Sequence, residues 1–343
     1  MLDDLKMIHQ RDAQDALGVA EKQWQQLEQS FEFAPALETG QPRNIVFAGM
    51  GGSALAALIA QVWPGFAVPF EIVRDYTLPQ YVGGETLFFA SSYSGNTEET
   101  LSALAEAEQR GANIVVITSG GQLADIARAK GYPLATLPGG LQPRHAVFYS
   151  LKALLTATDA IGITEGTRDE LASKAPFLKT ALQAWLPTVP TKKNLAKRMA
   201  LEVIGKSAVV YAGPKLWPAA YKWKISFNEN AKHIAWANQF SEFNHNEMMG
   251  WTKQPTEKPY AVIELHSALE HPRIQKRFEV TGRLLSGLRP EPIAVEVSGD
   301  DLLEQLLYAI ALGDFVTLYT ALLNGINPTP VDLIEKFKKQ LDT

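Results

Sequence analysis

The chain of 343 residues contains no cysteine, which removes several classes of protein from consideration. It forms no disulfide, holds no thiolate metal site and has no cysteine nucleophile. Histidine is scarce as well, and none of the six residues has the His-x-x-x-His or His-Glu-x-x-His spacing of a zinc enzyme. The sequence therefore predicts no metal site.

Clusters of positive charge and membrane anchors are also lacking. The formal net charge is −5 and no run of basic residues occurs, which argues against nucleic acid as a partner. Residues 1–6 are acidic where a secretory signal would be basic and then apolar. No apolar run approaches the length needed to cross a membrane. We expect a cytoplasmic protein with neither a nucleic-acid partner nor a membrane partner.

Length and composition indicate a globular chain with two domains. Hydrophobic residues make up 46% and charged residues 20%, and 343 residues suffice for two separate cores. Apolar residues at helical spacing predict one amphipathic helix over residues 11–27. Pro187 and Pro190 interrupt a polar, helical stretch and mark the domain boundary. We predict an N-terminal helix and linker (1–40), a first domain (41–165) and a second domain (190–343).

Both halves alternate predicted strands with predicted helices, which is typical of a parallel sheet covered on both faces. The fold class is therefore α/β, with two αβα-sandwich domains. Ligands of such sheets bind beyond the carboxyl ends of the strands. Strands are predicted from residue 44 and at residues 70–73, 87–90, 113–118 and 133–137 in the first half, and at 208–213, 260–265 and 292–297 in the second.

A turn rich in hydroxyl groups follows the strand at 87–90, where a helix begins. Ser91, Ser92, Ser94 and Thr97 surround Gly95. Helix N-termini attract anions, and hydroxyl groups donate further hydrogen bonds to phosphate oxygens. The alternative is that Ser94 or Thr97 only caps the helix. Four hydroxyl groups in seven residues exceed what a cap requires, so we favour a cradle for a phosphomonoester.

A second turn, Gly-Met-Gly-Gly-Ser at residues 49–53, follows the first strand and falls at the same edge of the sheet. Gly49-x-Gly51-x-x-Ala54, with Asp75 further along, also fits a dinucleotide-binding fingerprint and points weakly to NAD. The hydroxyl groups of the other turn, joined here by Ser53, suit a compact phosphomonoester better.

Several polar residues of the chain have no evident structural role. Glu229 stands between two asparagines on an otherwise apolar helix, and His245 lies in the polar segment 242–247. Composition alone supports structural roles for both residues at least as well as catalytic ones. Glu229 can be a surface acid paired with Lys232 or His233, and His245 can be a hydrogen-bonded structural residue. Arg144 can likewise pair with a carboxylate at the domain boundary, and the C-terminal lysines suit a solvated last turn.

These segments together resemble one family. Residues 92–99, Ser-Tyr-Ser-Gly-Asn-Thr-Glu-Glu, and residues 49–53 are similar to the signature of the sugar-isomerase (SIS) domain. Residues 228–232 and 242–247 resemble the bifunctional phosphoglucose/phosphomannose isomerases, and the likeness covers residues 40–343. It implies two SIS domains, a homodimer with composite active sites, no cofactor, and metal-free interconversion of glucose 6-phosphate and mannose 6-phosphate with fructose 6-phosphate through a cis-enediol.

The resemblance also implies roles for individual residues. Glu229 becomes the base that moves a proton between C1 and C2, and His245, contributed by the partner subunit, acts in ring opening. Arg144 stabilises the enediolate. Lys338 best matches the family's C-terminal lysine, with Lys336 and Lys339 as alternative registers. The residues implied in phosphate binding are Gly51, Gly52, Ser53, Ser92, Ser94 and Thr97.

Three rival functions remain open at this point. The first is an isomerase of another phosphosugar, such as an amino sugar. The second is a non-catalytic SIS module that binds a sugar phosphate and regulates a partner, although Glu229 and His245 would then be unneeded. The third is an NAD-binding protein.

Overall fold

The structure is a computed structural model that describes residues 1–38 and 40–341. The α-helices are α1 (Leu5–Arg11), α2 (Ala16–Glu21), α3 (Trp24–Glu28), α4 (Gly51–Val62), α5 (Glu98–Gln109), α6 (Gly121–Lys130), α7 (Val147–Ala160), α8 (Thr167–Ser173), α9 (Ala175–Leu182), α10 (Leu195–Val203), α11 (Trp217–Glu229), α12 (Glu247–Gly250), α13 (Pro272–Leu284), α14 (Leu302–Leu323) and α15 (Asp332–Leu341). The strands are β1 (Asn44–Ala48), β2 (Phe70–Val73), β3 (Thr86–Ser91), β4 (Asn113–Thr118), β5 (Leu134–Thr136), β6 (Ser207–Ala212), β7 (Ala235–Gln239), β8 (Tyr260–His266) and β9 (Ile293–Glu296).

The chain forms two compact units, each built on one parallel sheet. Residues 22–177 make up the N-terminal unit, and residues 1–21 join the described residues from Leu178 onward in the C-terminal unit. The α/β class predicted from the alternation of strands and helices is confirmed. The ranges 1–40, 41–165 and 190–343 stay a prediction about domain limits, and the grouping of residues 1–21 with the C-terminal half was not foreseen.

The N-terminal unit has a five-stranded sheet in the order β2-β1-β3-β4-β5. All pairs are parallel, and Ala48 at the end of β1 pairs with Ala90 of β3. The central strand β3 is buried along its whole length, as its continuous apolar sequence requires in a sheet covered on both faces. The strand order reverses between β1 and β3, and this switch point is where sheets of this topology bind their ligands.

The C-terminal unit repeats the same winding with four strands, in the order β7-β6-β8-β9. Its switch point therefore lies between β6 and β8, where Ala212 pairs with Leu265. Strand β7 is missing from the sequence-based prediction because its sequence, Ala-Trp-Ala-Asn-Gln, is short and half polar. It forms the edge of the sheet, and edge strands need only a weak apolar pattern.

The prediction that no apolar run approaches membrane-spanning length is wrong for α14. This helix has 22 residues with a mean hydropathy of 1.8, but 89% of its most apolar stretch is buried within the protein. Helices α10 and α11 pack against it, so α14 is the central helix of the C-terminal core. Its length and apolarity follow from burial on all sides.

The single helix predicted over residues 11–27 is also wrong. The Asp12 carboxylate accepts hydrogen bonds from the N–H groups of Ala16 and Leu17, both at 2.8 Å, and thereby starts α2 at residue 16. The chain then passes from the C-terminal unit to the N-terminal unit at residue 22. Helices α2 and α3 bury their apolar faces in different cores, which one continuous helix does not need to do, and the periodicity alone does not reveal this break.

Candidate active site

The two turns singled out in the first half of the sequence meet at the switch point of the N-terminal sheet. A side chain at Gly49 would place its Cβ 2.9 Å from the carbonyl oxygen of Ser91, so glycine lets the ends of β1 and β3 approach. The hydroxyl group of Ser53 accepts a hydrogen bond of 3.0 Å from the N–H of Tyr93. The glycine turn and the hydroxyl turn therefore form one continuous surface.

The hydroxyl groups of the hydroxyl turn, residues 91–97, bond to one another and do not cap α5. Thr97 occupies the N-cap position, but its side chain accepts no capping hydrogen bond. Instead, Oγ of Ser92 lies 2.8 Å from Oγ1 of Thr97 and 3.5 Å from Oγ of Ser94. Gly95 has φ +72°, and a Cβ there would collide with the carbonyl oxygen of Gly120, so only glycine closes this turn. The alternative that Thr97 serves as a side-chain cap is wrong.

Arg144 lies against the glycine turn. It belongs to a short 3-10 helix, Pro143–His145, and a Cβ at Gly52 would lie 2.7 Å from its main-chain nitrogen. The side chain is buried, and its guanidinium donates to Oε1 of Gln142 at 3.4 Å. A cation that stays protonated thus sits beside the turns proposed to hold phosphate.

Tyr93 joins the hydroxyl turn to the loop that leads to Arg144, a role that sequence reasoning missed. Its hydroxyl group donates to the carbonyl of Pro138 at 2.7 Å and accepts from the N–H of Leu141 at 3.0 Å. Burial raises the pKa of Tyr93, so the phenol remains a donor at neutral pH. A tyrosine inside a turn of serines was the available signal, because a large side chain there needs a partner.

Glu229 is the last residue of α11 and is half-buried. It lines a cavity of about 630 Å³ together with residues of the chain segment before α15 and of α15 itself, among them Asn327, Leu333 and Ile334. The Nζ atom of Lys232 donates to the main-chain carbonyls of Glu229, at 2.8 Å, and Pro328, at 2.9 Å. Lys232 therefore ties the end of α11 to the segment that forms the other wall of the cavity.

The position of Glu229 is fixed by polar contacts between α11 and α14. Lys222 and Asp314 form a buried ion pair, and the indole N–H of Trp223 donates to the carbonyl of Ala309 at 2.7 Å. The amide of Asn230 donates to Oγ1 of Thr317 at 2.9 Å. Buried polar groups with satisfied partners define one register between two packed helices. Glu229 thus extends from the end of a helix whose register against α14 is fixed.

His245 ends a short 3-10 helix, Glu242–His245, and is exposed on the C-terminal unit. Its neighbours in the polar segment have structural partners. The Glu247 carboxylate accepts hydrogen bonds from the hydroxyl group of Tyr211 and from Nδ2 of Asn238. The amide of Asn244 donates to Oγ1 of Thr281 at 2.9 Å. His245 is thus accessible at the surface of its unit, and its role stays a prediction.

The three candidate C-terminal lysines all lie on α15 and are exposed, but they differ in the face they occupy. Lys338 is one turn beyond Ile334, which lines the cavity that Glu229 also lines. At 100° per residue, Lys336 and Lys339 lie on the opposite side of the helix from Ile334. Lys338 pairs with Glu335 at 3.0 Å. Lys336 is in turn one helical turn beyond Asp332, which also lines the cavity, so helix geometry does not decide among the three registers.

Comparison with known proteins decides the family. Residues 40–163 match the SIS domain, and residues 192–341 match the C-terminal SIS domain of bacterial phospho-glucose isomerase. A bifunctional phosphoglucose/phosphomannose isomerase from Caldicellulosiruptor bescii is 38% identical over 87% of this chain and 89% of its own length. The chain belongs to the bifunctional phosphoglucose/phosphomannose isomerase family.

Two further relatives place the family in context. A D-glucosamine-6-phosphate 4-epimerase from Sulfolobus acidocaldarius is 32% identical over 64% of this chain and 67% of its own length. Among solved structures, a glucose-6-phosphate isomerase like protein from Thermus thermophilus superposes with a TM-score of 0.67 over 98% of both chains, at 19% identity. At that identity the likeness shows the fold, and the two SIS domains implied by the sequence resemblance are confirmed.

Proposed function

We propose that this chain is an aldose–ketose isomerase that interconverts glucose 6-phosphate and mannose 6-phosphate with fructose 6-phosphate in the cytoplasm. The observation that carries the proposal is the cluster of hydroxyl groups at the switch point of the N-terminal sheet, joined to Arg144 through the glycine turn. The cluster offers donors to a phosphate, and Arg144 offers a fixed cation to an oxygen on which negative charge develops.

The chemistry assigns one task to each residue. Gly51, Gly52, Ser53, Ser92, Ser94 and Thr97 bind the phosphate. His245 transfers a proton as the sugar ring opens, giving a free carbonyl compound. Glu229 then removes the C2 proton of the aldose and returns it to C1 of the cis-enediolate, while the proton of the C2 hydroxyl group passes to the C1 oxygen. The Arg144 guanidinium stabilises the enediolate oxygen, and Lys338 adds a second positive charge. A proton transfer of this kind requires no metal ion and no cofactor.

A second candidate function shares the phosphate site. The epimerase relative acts on an amino sugar phosphate, according to its name, so a substrate with an amino group at C2 is the alternative. Phosphate recognition is common to both substrates. The two proposals differ in the sugar and in the reaction, because the name of the relative specifies epimerisation at C4. Turnover of glucose 6-phosphate against glucosamine 6-phosphate distinguishes them.

We expect Ser92→Ala combined with Thr97→Ala to weaken binding of fructose 6-phosphate by at least about tenfold. Each hydrogen bond to a charged group contributes about 1.5–3 kcal/mol, and the two hydroxyl groups lie 2.8 Å apart in the proposed cradle. Isothermal titration calorimetry measures the affinity, and circular dichroism checks the fold.

Ser102→Ala is the matched control, because Ser102 lies on α5, the helix that follows the hydroxyl turn, and donates to the carbonyl of Tyr76 at 2.9 Å. It should bind fructose 6-phosphate as the wild type does. Equal affinities in the double variant and the wild type would place phosphate binding elsewhere in the protein.

A further inference from the structure

The C-terminal sheet has its own switch point, between β6 and β8, and its turns correspond to those of the N-terminal sheet. Gly49 follows β1 directly, and Gly213 follows β6 directly. Ala48 pairs with Ala90, and Ala212 pairs with Leu265. Ser92 lies two residues after Ala90, and Ser267 lies two residues after Leu265, so the two serines occupy corresponding positions. The topology therefore predicts a second anion site in the C-terminal unit, at the start of α11.

That second position is occupied by the side chain of Glu270. Its Oε1 accepts a hydrogen bond of 2.8 Å from the N–H of Lys215, and the N–H groups of Leu216 and His271 also point to the carboxylate. Glu270 is only 5% exposed. A Cβ at Gly213 would lie 2.3 Å from Oε1, so glycine at this position makes room for the carboxylate. Main-chain N–H groups thus surround a buried carboxylate as they would surround a bound anion.

The hydroxyl group that corresponds to Ser92 is also used internally. Ser267 Oγ donates to Oε1 of Gln305 at 2.5 Å and accepts from the N–H of Leu269 at 3.0 Å. The side-chain amide of Gln305 in turn donates to the carbonyl of Gly299 at 3.1 Å. Ser267 is 6% exposed and its counterpart Ser92 is 1% exposed, but the N-terminal turn also presents the exposed Ser94. The turns of the C-terminal sheet are closed by their own side chains.

Burial raises the pKa of Glu270 above its ordinary value, and the N–H groups of Lys215 and Leu216 offset only part of that rise. The hydrogen bonds thus favour the ionised form that the burial penalises. The same N–H groups lie directly before α11, so the carboxylate also fixes the start of the helix that ends at Glu229.

We propose that Glu270 is a built-in ligand of the anion site at the C-terminal switch point, which closes this site to phosphosugars and leaves each chain with one phosphosugar site. The claim that the remaining site takes a phosphosugar rests on the proposed function. The claim that Glu270 fills an anion site is independent of it.

Acetate provides a direct test, because Glu270→Ala removes a CH₂ group and a carboxylate, and acetate is close to that fragment in size. At pH 7 and constant ionic strength, we expect Glu270→Ala to lower Tm by at least about 4 °C. Acetate should then raise the Tm of the variant saturably and recover about half of the loss or more. Acetamide, which has the same shape without the charge, should recover much less, and neither compound should change the Tm of the wild type. Recovery by acetate and acetamide alike, or by neither, would overturn the proposal.

Glu270→Gln keeps the test decisive where Glu270→Ala fails to fold. The amide fills the space and offers one acceptor oxygen, so we expect a folded protein with a lowered Tm that acetate does not raise. A Tm equal to that of the wild type would show that the charge of the internal ligand is irrelevant and would overturn the proposal.

The number of sites is measured separately with sorbitol 6-phosphate, which has no carbonyl group and does not isomerise. We expect calorimetry to give one site per chain in the wild type, and the same single site with at least about tenfold weaker affinity after Ser92→Ala with Thr97→Ala. Two sites per chain would overturn the closure of the C-terminal switch point. The acetate experiment contains no sugar phosphate, so a failure of the proposed function leaves its result unchanged.

Discussion

Glu229→Gln should lower kcat for the isomerisation of glucose 6-phosphate by at least about 10². Glutamine keeps the shape of the side chain but lacks the basic electron pair that removes the C2 proton. The end of α11 is held by the Lys222–Asp314 pair and by Asn230, so the substitution should leave the fold intact. KM should change little, because the proposed phosphate contacts belong to the N-terminal unit. A coupled assay of fructose 6-phosphate formation measures both constants.

Glu202→Gln is the control for Glu229→Gln, since Glu202 is an exposed glutamate on α10 of the same unit. It should keep wild-type kinetics. Near-wild-type turnover in Glu229→Gln itself would exclude Glu229 as the base. The wild type should also exchange part of the C2 deuterium of labelled substrate with solvent, because a protonated carboxylate trades its proton before returning it.

Two inactive variants should restore activity when they form heterodimers. His245 is exposed on its unit, and the family resemblance places it in the partner's site. In a dimer of one Glu229→Gln chain and one His245→Ala chain, one composite site keeps both functional residues and the other keeps neither. A C2 dimer has two equivalent sites, so we expect about half of the wild-type activity per heterodimer.

The heterodimers are purified through two different affinity tags, and each tagged homodimer serves as its own control. Both homodimers should remain nearly inactive. Verified heterodimers without activity would show that His245 acts within its own chain or takes no part in the reaction.

Sequence patterns were sufficient for most of the fold because the buried strands carry continuous apolar runs and the helices carry clear periodicity. Every strand predicted in the N-terminal unit is confirmed, whereas β7 is absent from the prediction since an edge strand with Asn238 and Gln239 lacks such a run. The break between α2 and α3 was also not predicted, because it depends on which hydrophobic core each helix packs into.

One part of the candidate site was predictable from the sequence and another part was not. The two turns at the edge of the N-terminal sheet were predictable, because their positions follow from strand order and their hydroxyl groups are visible in the sequence. The roles of Tyr93 and Glu270 were not, since each depends on hydrogen bonds to main-chain groups distant in sequence: 45 residues separate Tyr93 from Pro138, and 55 separate Glu270 from Lys215. Such partners become visible only when the chain is folded.

The most direct test of the proposed function is turnover by the purified protein in the presence of EDTA. The enzyme is supplied separately with glucose 6-phosphate, mannose 6-phosphate and glucosamine 6-phosphate, and ¹H NMR follows all products, so that a ketose and an epimer are both detected. We predict that the first two sugars both yield fructose 6-phosphate, at rates that EDTA does not change, and that glucosamine 6-phosphate is not converted. Conversion of glucosamine 6-phosphate alone, or no conversion of any of the three sugars, would contradict the account.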